Sequence, residues 1–575
     1  MAEQIAQDHQ LQRRLTNRHV QLIAIGGAIG TGLFMGSGKA ISAAGPGVLL
    51  VYAVIGGVLF LVMRTLGEVL LSDLDYKSFA DVAHDLIGPW AGFFVGWTYY
   101  VCWLVTAVAE VVAITGYARF WWPGLPLWVA PVITVAVLLG LNLTTVRAFG
   151  EIEFWFSIIK IVAIIALVVV GVALVAIGFT SPGGARADLA NLWRDGGLFP
   201  KGFHGFAEAF QIAVFSFVGT ELIGTTAAEA RDPEVTLPRA INAIPVRIVI
   251  FYLGALAAIM AVTPWRGVSP EASPFVAMFS LAGLGAAAGA VNFVVLTAAA
   301  SSANSGIYST SRMLYGLSWA GHAPRAFRAL TARSVPGPAL LVTCAALLTS
   351  IPLMYVSDSI MTAFVAVTTV ASVLFILVWC VIVVSYMRFR VLRPELHAAS
   401  AFRLPGGWAA AWGSLAFFAF VTWTLTLERE TWLAVRVSPL WLAALGAAWW
   451  ARSRRAASRG GPTARPVAVR DRRRRGRAAP SGAARTRRPR EAPRRRARRP
   501  VTPAPRRSTA RRPRPPACPP SWPPGARGPQ PARSRRRPGA GAPSPRRRWR
   551  RWSIRRGSRS RARPAPTPAP APPSR

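Results

Sequence analysis

Cysteine and histidine are scarce in this chain of 575 residues. It has four cysteines and six histidines. The cysteines lie far apart, with no C-x-x-C pair and no histidine partner: Cys102, Cys344, Cys380 and Cys518. This pattern indicates neither a metal site nor a disulfide framework. The sequence also lacks a phosphate-binding loop and a nucleophile with its base, which argues against an enzyme and against ATP-driven transport. We therefore expect neither a metal nor a cofactor.

Acidic residues are few, and the charge is unevenly distributed. The chain has 67 basic and 24 acidic residues, for a formal net charge of +43. After Ala451 there are 41 arginines against only Asp471 and Glu491, whereas the part before is nearly neutral. The high net charge therefore belongs to a tail, and it does not indicate a nucleic-acid-binding domain.

The tail, residues 451–575, consists mainly of Arg, Pro, Ala, Gly and Ser. It has hardly any residues that could form an apolar core, so we expect it to be disordered. The tail could bind anionic lipid, or it could bind nucleic acid nonspecifically. It could also be the product of a shifted reading frame, since these residue types have GC-rich codons. Nucleic acid is the least favoured, and the other two stay open.

Long apolar runs dominate the chain before the tail. Hydrophobic residues make up 52% of the chain and the mean hydropathy is +0.36. Twelve runs are long enough to cross about 30 Å of hydrocarbon. They are Val20–Ser42, Val48–Leu70, Ala91–Phe120, Leu127–Val146, Phe154–Phe179, Phe206–Ala227, Ile248–Pro264, Ala286–Tyr308, Leu340–Tyr355, Met361–Tyr386, Trp408–Leu427 and Trp432–Trp450. The sequence predicts an all-α integral membrane protein, with a short segment 1–19 before a domain at 20–450.

The charge of the short loops predicts the orientation. Most loop arginines fall on one face of the predicted topology: Arg13, Arg14, Arg18, Arg231, Arg239, Arg247, Arg325, Arg328, Arg333, Arg388, Arg390, Arg393 and Arg403. This face is expected to be cytoplasmic. No cleavable signal peptide precedes the first span. We expect a multi-pass protein of the cell membrane with both termini in the cytoplasm.

Two of the predicted spans contain helix-breaking residues. The first reads "QLIAIGGAIGTGLFMG", and the sixth reads "FSFVGTELIG", with Gly219 and Gly224 around Glu221. Unwound backbone in a membrane is tolerated where it is buried or lines a cavity, and paired interrupted helices indicate a transporter's binding site. The alternative is that these glycines only let helices pack closely. That alternative explains the cluster Gly30, Thr31 and Gly32 poorly.

Several long motifs carry a family resemblance. "LTNRHVQLIAIGGAIGTGLFMGSG", "EFWFSIIKIVAII", "FSFVGTELIGTTAAEARDPEVTLPRAIN" and "SSANSGIYSTSRMLYGL" resemble the amino acid transporter family of the amino acid, polyamine and organocation superfamily, from about Leu11 to Trp450. The resemblance implies twelve transmembrane helices, a five-plus-five inverted repeat with broken helices 1 and 6, and alternating access. It also implies proton-coupled uptake of an amino acid, and other motifs are most similar to members that carry D-alanine, D-serine and glycine.

The resemblance also implies a substrate site. The substrate carboxylate would meet the N–H groups of Gly30, Thr31 and Gly32 at the start of a half-helix, where the dipole favours an anion. The ammonium would meet the carbonyls of Ala28, Phe215 and Val218. Ser216 and Gly219 complete the predicted set. Phe215 and Phe217 would line or gate the side-chain pocket; the alternative, that they face lipid or only pack, applies more to Phe217 than to Phe215.

Three buried ionisable residues are candidates for proton coupling. Lys160 lies inside an apolar span, where an unpaired ammonium costs about 3 kcal/mol; in relatives the matching lysine occupies the place of a sodium ion. The alternative is a lysine that reaches the membrane surface. Glu110 and Glu221 would handle protons or hydrogen-bond a mobile helix. Arg64 and Glu68, four residues apart, are predicted to form a structural ion pair.

The predicted function is proton-coupled import of small neutral amino acids, namely D-alanine, D-serine and glycine. A permease for another neutral amino acid, such as proline or an aromatic one, is the alternative. A sensor that binds an amino acid without moving it is a further alternative, but no folded output domain is visible. The expected partners are the substrate, protons and the lipid bilayer, and no nucleic acid. The sequence does not indicate an oligomeric state.

Overall fold

The structure is a computed structural model that describes residues 29–76, 78–144, 146–226, 232–281 and 283–458. Ala28, the rest of the first predicted span before it and residues 1–19 lie outside the described residues. The tail beyond Ser458 lies outside them as well.

Helices form every long regular element in the described ranges. In chain order they are α1 Thr31–Phe34, α2 Gly36–Ala44, α3 Val48–Ser72, α4 Phe79–Leu86, α5 Pro89–Ala118, α6 Val129–Asn142, α7 Val146–Ala176, α8 Gly202–Ala213, α9 Leu222–Thr226 and α10 Pro233–Asn242. They continue with α11 Ile244–Arg247, α12 Ala255–Val262, α13 Pro274–Leu281, α14 Gly285–Trp319, α15 Gly337–Leu347, α16 Ser350–Val356, α17 Ile360–Leu392, α18 Pro394–Ala399, α19 Gly407–Thr424 and α20 Arg429–Ser458. Short 3-10 helices lie at Gly45–Gly47, Leu189–Leu192, Val214–Phe217, Trp265–Gly267 and Arg325–Arg328, and a π-helix lies at Ile248–Gly254. Within these ranges the only β pairing is an isolated bridge between Thr180 and Arg186.

Eight helical stretches in the described part are long and apolar enough to cross a membrane. They are Gly36–Ser72, Pro89–Ala118, Gly150–Ala176, Gly202–Gly224, Pro233–Val262, Gly285–Trp319, Gly337–Val356 and Ile360–Leu392, and Val129–Asn142 is a shorter apolar helix. Helices suit a bilayer because all their backbone hydrogen bonds form within one segment. The all-helical membrane fold is therefore confirmed, while twelve spans and an inverted repeat stay predictions.

Several predicted boundaries differ from the structure, most clearly around α7 and α10. Helix α7 begins at Val146, eight residues before the predicted start at Phe154, because acidic residues near the start do not interrupt its backbone hydrogen bonds. The charged segment after the sixth span, where no span was predicted, contains the helix α10. Its first residue is Pro233, and proline is well tolerated at this position because the N–H it lacks would have no partner there.

Long helices at the centre of the bundle position the interrupted segments. Helix α5 packs along α14 and α17, and α2 packs against α8. Helix α1 contacts the 3-10 helix Val214–Phe217. The fold therefore brings the interrupted part of the first span against that of the sixth.

Candidate functional site

The first interrupted segment starts at Gly30. This residue has an extended backbone, with φ of −122° and ψ of −164°, and precedes the four-residue helix α1. Its carbonyl accepts hydrogen bonds from the N–H groups of Leu33 at 3.2 Å and Phe34 at 3.4 Å. The N–H groups of Thr31 and Gly32 belong to the first turn, where no helical carbonyl precedes them. Together with the N–H group of Gly30, these are the N–H groups predicted to meet a carboxylate. The predicted carbonyl of Ala28 lies outside the described residues.

The second interrupted segment follows α8. The chain continues as the 3-10 helix Val214–Phe217. It is extended at Val218, with ψ of 138°, and reverses its direction at Gly219, with φ of +98°. Only glycine adopts this last conformation without strain. No described residue donates a hydrogen bond to the Val218 carbonyl, whereas the Phe215 carbonyl accepts one from the Val218 N–H at 3.2 Å. One of the two described carbonyls predicted to meet the ammonium is thus available for a ligand.

The two interrupted segments are in direct contact. A Cβ atom on Gly32 would lie 2.6 Å from the Cα atom of Ser216 and 2.8 Å from its nitrogen. Both distances are far below a van der Waals contact, so a glycine is required at position 32. Thr31 is fully buried and Val218 is only 6% exposed. The structure therefore brings together the described members of the predicted substrate site in one buried place.

The Glu221 side chain holds the second interrupted segment in place by hydrogen bonds. Its Oε2 atom accepts a hydrogen bond from the Gly219 N–H at 3.1 Å, and its Oε1 atom accepts one from the Tyr99 hydroxyl at 3.4 Å. The carboxylate is fully buried. These contacts hold the reversal of the chain at Gly219 against helix α5. The geometry favours the second of the two predicted roles of Glu221, that of hydrogen-bonding an interrupted helix.

Glu110 faces the first segment from helix α5. A Cβ atom on Gly30 would lie 3.0 Å from the Glu110 Oε1 atom and 3.3 Å from the Ser302 Oγ atom. Glu110 is only 2% exposed, and its Oε2 atom has no hydrogen-bond partner in the described part of the chain. An acidic side chain therefore sits where the substrate carboxylate is predicted to bind. When it is ionised it repels that carboxylate, and when it is protonated it can donate a hydrogen bond.

Lys160 lies on helix α7 and is fully buried. Its side chain therefore does not reach the surface, which was the alternative interpretation. The charges that act on it are those of Glu153, on the same helix, and of Glu110. Glu110 thus couples the lysine electrostatically to the first interrupted segment. Of the three predicted proton-coupling residues, Lys160 and Glu110 act on each other electrostatically, and Glu221 lies in a separate set of contacts.

Aromatic side chains surround Ser216. Its hydroxyl shares a hydrogen bond with the Tyr52 hydroxyl at 3.0 Å, and its carbonyl accepts one from the Tyr252 hydroxyl at 2.9 Å. Phe217 stacks on Tyr252 with ring centroids 4.7 Å apart. Phe215 instead faces Phe364 of α17, at 6.0 Å between centroids. Phe217 therefore packs within the protein, while the hydroxyl and carbonyl of Ser216 are already engaged.

Sequence reasoning missed several residues of this region. Tyr52 and Tyr252 carry no local signal, because their role depends on how α3 and the π-helix meet the sixth span. Glu153 did carry a signal, since it stands seven residues before Lys160 and shares its helical face. It was overlooked because the predicted span began one residue later.

The predicted ion pair between Arg64 and Glu68 is wrong. Arg64 donates to the Asn242 Oδ1 atom at 3.0 Å and to the Arg403 carbonyl at 2.6 Å. Glu68 instead accepts from the Leu404 N–H at 2.7 Å and contacts the His397 Nδ1 atom at 2.5 Å. The spacing along the helix was right, but the loop after α17 offers both residues closer partners.

Metal binding was not expected from the sequence. Among the residues that the structure describes, no group of three or more His, Cys, Asp or Glu side chains could hold a metal ion.

Comparison with known proteins assigns the chain to a family. A model of the amino acid permease family matches residues 19–457. The chain belongs to this family. It is 58% identical to the D-serine/D-alanine/glycine transporter of Escherichia coli (strain K12) over 447 residues, which is 78% of this chain and 95% of the relative.

Two further relatives are less similar to the permease than this transporter is. An amino-acid permease of Bacillus subtilis (strain 168) is 45% identical over 77% of this chain and 95% of its own length. An aromatic amino acid transport protein of Escherichia coli O6:H1 is 40% identical over 76% of this chain and 95% of its own length. The family resemblance is confirmed, and the permease is a multi-pass membrane transporter and not an enzyme.

Proposed function

We propose that the permease is a proton-coupled symporter that imports D-alanine, D-serine and glycine across the cytoplasmic membrane by alternating access. The observation that carries this proposal is the contact between the interrupted segments at Gly32 and Ser216. It brings the interrupted backbone of two broken helices into one buried place. Secondary transporters bind their substrates between such helices.

The proposed architecture has twelve transmembrane helices within residues 20–450, ten of them in two inverted halves of five. In this scheme the first break belongs to helix 1 and the second to helix 6, which are corresponding members of the two halves. Both termini face the cytoplasm, in line with the arginine-rich loops. The tail 451–575 is not part of the transporting domain.

The proposed binding mode uses opposite ends of the half-helices. The substrate carboxylate meets the N–H groups of Gly30, Thr31 and Gly32, and the ammonium meets the carbonyls of Val218, Phe215 and Ala28. The free Val218 carbonyl supports the second part. Gly219 supplies the chain reversal that directly follows this carbonyl. The close packing of Gly32 on Ser216 leaves little space, which suits a small substrate.

The proposed proton-coupling groups are Lys160 and Glu110. Both are buried, and they interact electrostatically. Glu110 also faces the Gly30 position, so its protonation state would decide whether the substrate carboxylate is repelled there. This link would join proton binding to substrate binding. Glu221 is assigned a positioning role in the second segment.

The 58% identical relative is a D-serine/D-alanine/glycine transporter, and this supports the choice of substrate. An aromatic amino acid is the second candidate, because a 40% identical relative is an aromatic amino acid transport protein. An aromatic substrate needs more space for its side chain beside Phe215 and Phe364 than D-alanine, D-serine or glycine does.

Uptake of labelled D-alanine into a transport-deficient strain tests this proposal. Unlabelled D-serine and glycine should compete, whereas L-phenylalanine and L-proline should not. Uptake should persist when sodium is replaced by choline, and should collapse when an uncoupler abolishes the proton gradient. Competition by L-phenylalanine alone would favour the aromatic candidate, and a requirement for sodium would contradict proton coupling.

A further inference from the structure

A polar stripe runs along the inner face of helix α7. It consists of Glu153, Ser157 and Lys160, which are all buried although the helix is otherwise strongly apolar. Their spacing of four and then three residues places them on one side of the helix. Helical side chains lean towards the N-terminus of their helix, so the long side chain of Lys160 extends towards Glu153 past the turn that carries Ser157, whereas the shorter side chain of Glu153 leans the same way, towards the start of α7.

Glu153 lies among hydrogen-bonding groups of helix α14. The Ser301 hydroxyl donates to its Oε1 atom at 2.7 Å, and Ser305 and Asn304 also face the carboxylate. Its Oε2 atom has no partner within the described residues. Glu153 is 1% exposed. A buried carboxylate with an unused oxygen, in electrostatic contact with a buried ammonium, is placed to accept a proton.

The polar groups continue from Glu153 towards the surface. The Asn142 side chain, at the end of α6, donates to the Asn304 Oδ1 atom at 2.8 Å. The next residue, Leu143, accepts at its carbonyl a hydrogen bond from the exposed Arg333 at 3.2 Å. Arg333 belongs to a loop that the charge pattern assigns to the cytoplasmic face. The series therefore leads from Lys160 through Glu153 to the cytoplasmic end of the bundle.

We propose that Glu153 accepts the proton that Lys160 releases on the cytoplasmic side, and that Asn142 and Asn304 line the exit route. This inference rests on the proposed proton-coupled function. In the transfer an N–H bond of the ammonium breaks and an O–H bond of the carboxylic acid forms, so both groups become neutral. The acid then loses its proton to cytoplasmic water, which restores the carboxylate.

The transfer is reasonable in this environment because charges are costly in a buried, poorly polar site. Moving the proton converts two buried charges into two neutral groups and removes their desolvation cost. The titratable and charged groups that act on the pair are Glu110 from α5 and the two residues themselves. The groups of α14 and α6 that face Glu153 are neutral.

The experiment uses the full-length permease in proteoliposomes with three measurements. These are net uptake of D-alanine driven by a pH gradient, acidification of the lumen reported by a trapped dye, and exchange of D-alanine without a gradient. Glu153→Gln removes the acceptor and keeps the size. Glu151→Gln is the matched control, because Glu151 lies two residues away on the exposed side of α7.

Glu153→Gln should slow net uptake and acidification by about a hundredfold, which is within the contribution of a positioned acid–base group. Exchange should continue, because it needs no proton release. Glu151→Gln should behave like the wild type in all three measurements. If Glu153→Gln does not fold, Glu153→Asp should slow net uptake more than exchange.

Several results would overturn the inference. Glu153→Gln could retain wild-type net uptake and acidification, it could lose exchange together with net uptake, or Glu151→Gln could show the same loss. An equal slowing of uptake and exchange in Glu153→Asp would overturn it too. If the wild-type protein transports D-alanine without acidifying the lumen, the proposed proton-coupled function is wrong as well. If the wild type and Glu153→Gln both acidify the lumen, only the role of Glu153 is contradicted.

Discussion

Gly32 is the residue where the two interrupted helices meet most closely. Gly32→Val would push three carbon atoms into the backbone at Ser216, which lies 2.6 Å from the first of them. We expect uptake to fall by about a hundredfold, since small displacements of a site have effects of this size. Gly57→Val is the control, because a side chain at Gly57 on α3 would meet nothing within 4 Å. Uptake of labelled D-alanine at equal membrane abundance checks this; wild-type uptake by Gly32→Val would show that the site is elsewhere.

Lys160 is the residue on which energy coupling is predicted to depend. Lys160→Met keeps the length and the apolar stem but removes the ammonium, so accumulation against a gradient should be lost while exchange persists. Lys201→Met changes an exposed lysine and should have no effect. Both variants are compared in vesicles with an imposed pH gradient. Concentrative uptake of D-alanine by Lys160→Met would exclude the lysine from coupling.

The sequence allowed some of these residues to be predicted and not others. Gly30, Gly32 and Gly219 could be predicted because glycine inside an apolar span is unusual. Lys160 stood out because a charge there is costly. Tyr52, Tyr252 and Ser302 could not be predicted, because their role arises only when separate helices come together. These three are ordinary residues for a membrane helix.

At the level of the element, the sixth span depends on a single carboxylate. Glu221→Gln retains an oxygen that can accept from the Gly219 N–H and an amide that can donate to Tyr99. We therefore expect proton-driven uptake to survive in Glu221→Gln. Glu221→Ala leaves both groups unpaired, and each lost hydrogen bond costs about 1 to 3 kcal/mol. Its melting temperature and its uptake should both fall.

The two variants separate positioning from proton transfer. Purified proteins are compared by thermal unfolding in detergent and by uptake in vesicles. Loss of coupled uptake in a stable Glu221→Gln protein would show that Glu221 carries a proton.

Helix positions were easier to predict than helix ends. Each described apolar run is helical, because hydropathy reports which residues can face lipid. It does not report where a helix stops, since a helix keeps its hydrogen bonds beyond the hydrocarbon. This is why α7 extends back to Val146 and why α10 lies between two predicted spans. The division of the ninth span into α15 and α16 also has no signal in hydropathy.

At the scale of the whole molecule, the tail is expected to be dispensable. The family match ends at residue 457, and helix α20 ends at Ser458. A chain truncated after Ser458 should insert into the membrane and take up D-alanine at the rate of the full-length protein. Uptake is normalised to membrane abundance, with the same affinity tag on both proteins. A slower truncated protein at equal abundance would show that the tail contributes to transport.

Helix α7 has the polar stripe on one side and exposed apolar side chains on the other. Trp155, Val162, Val169 and Val172 are each about 60% exposed. The helix has 31 residues and is about 46 Å long, against about 30 Å of hydrocarbon. A helix that exceeds the hydrocarbon thickness tilts, and its tilt follows the thickness of the bilayer.

The depth of Lys160 in the membrane therefore depends on the surrounding lipid. We expect net uptake of D-alanine to pass through a maximum as the acyl chains of the vesicle lipid are lengthened. Exchange should vary less, because it does not require the proton to leave. A constant ratio of net uptake to exchange across all chain lengths would contradict this. The lipid on the outer side of α7 then helps to set the rate of proton release on the inner side, because it determines how far the helix tilts.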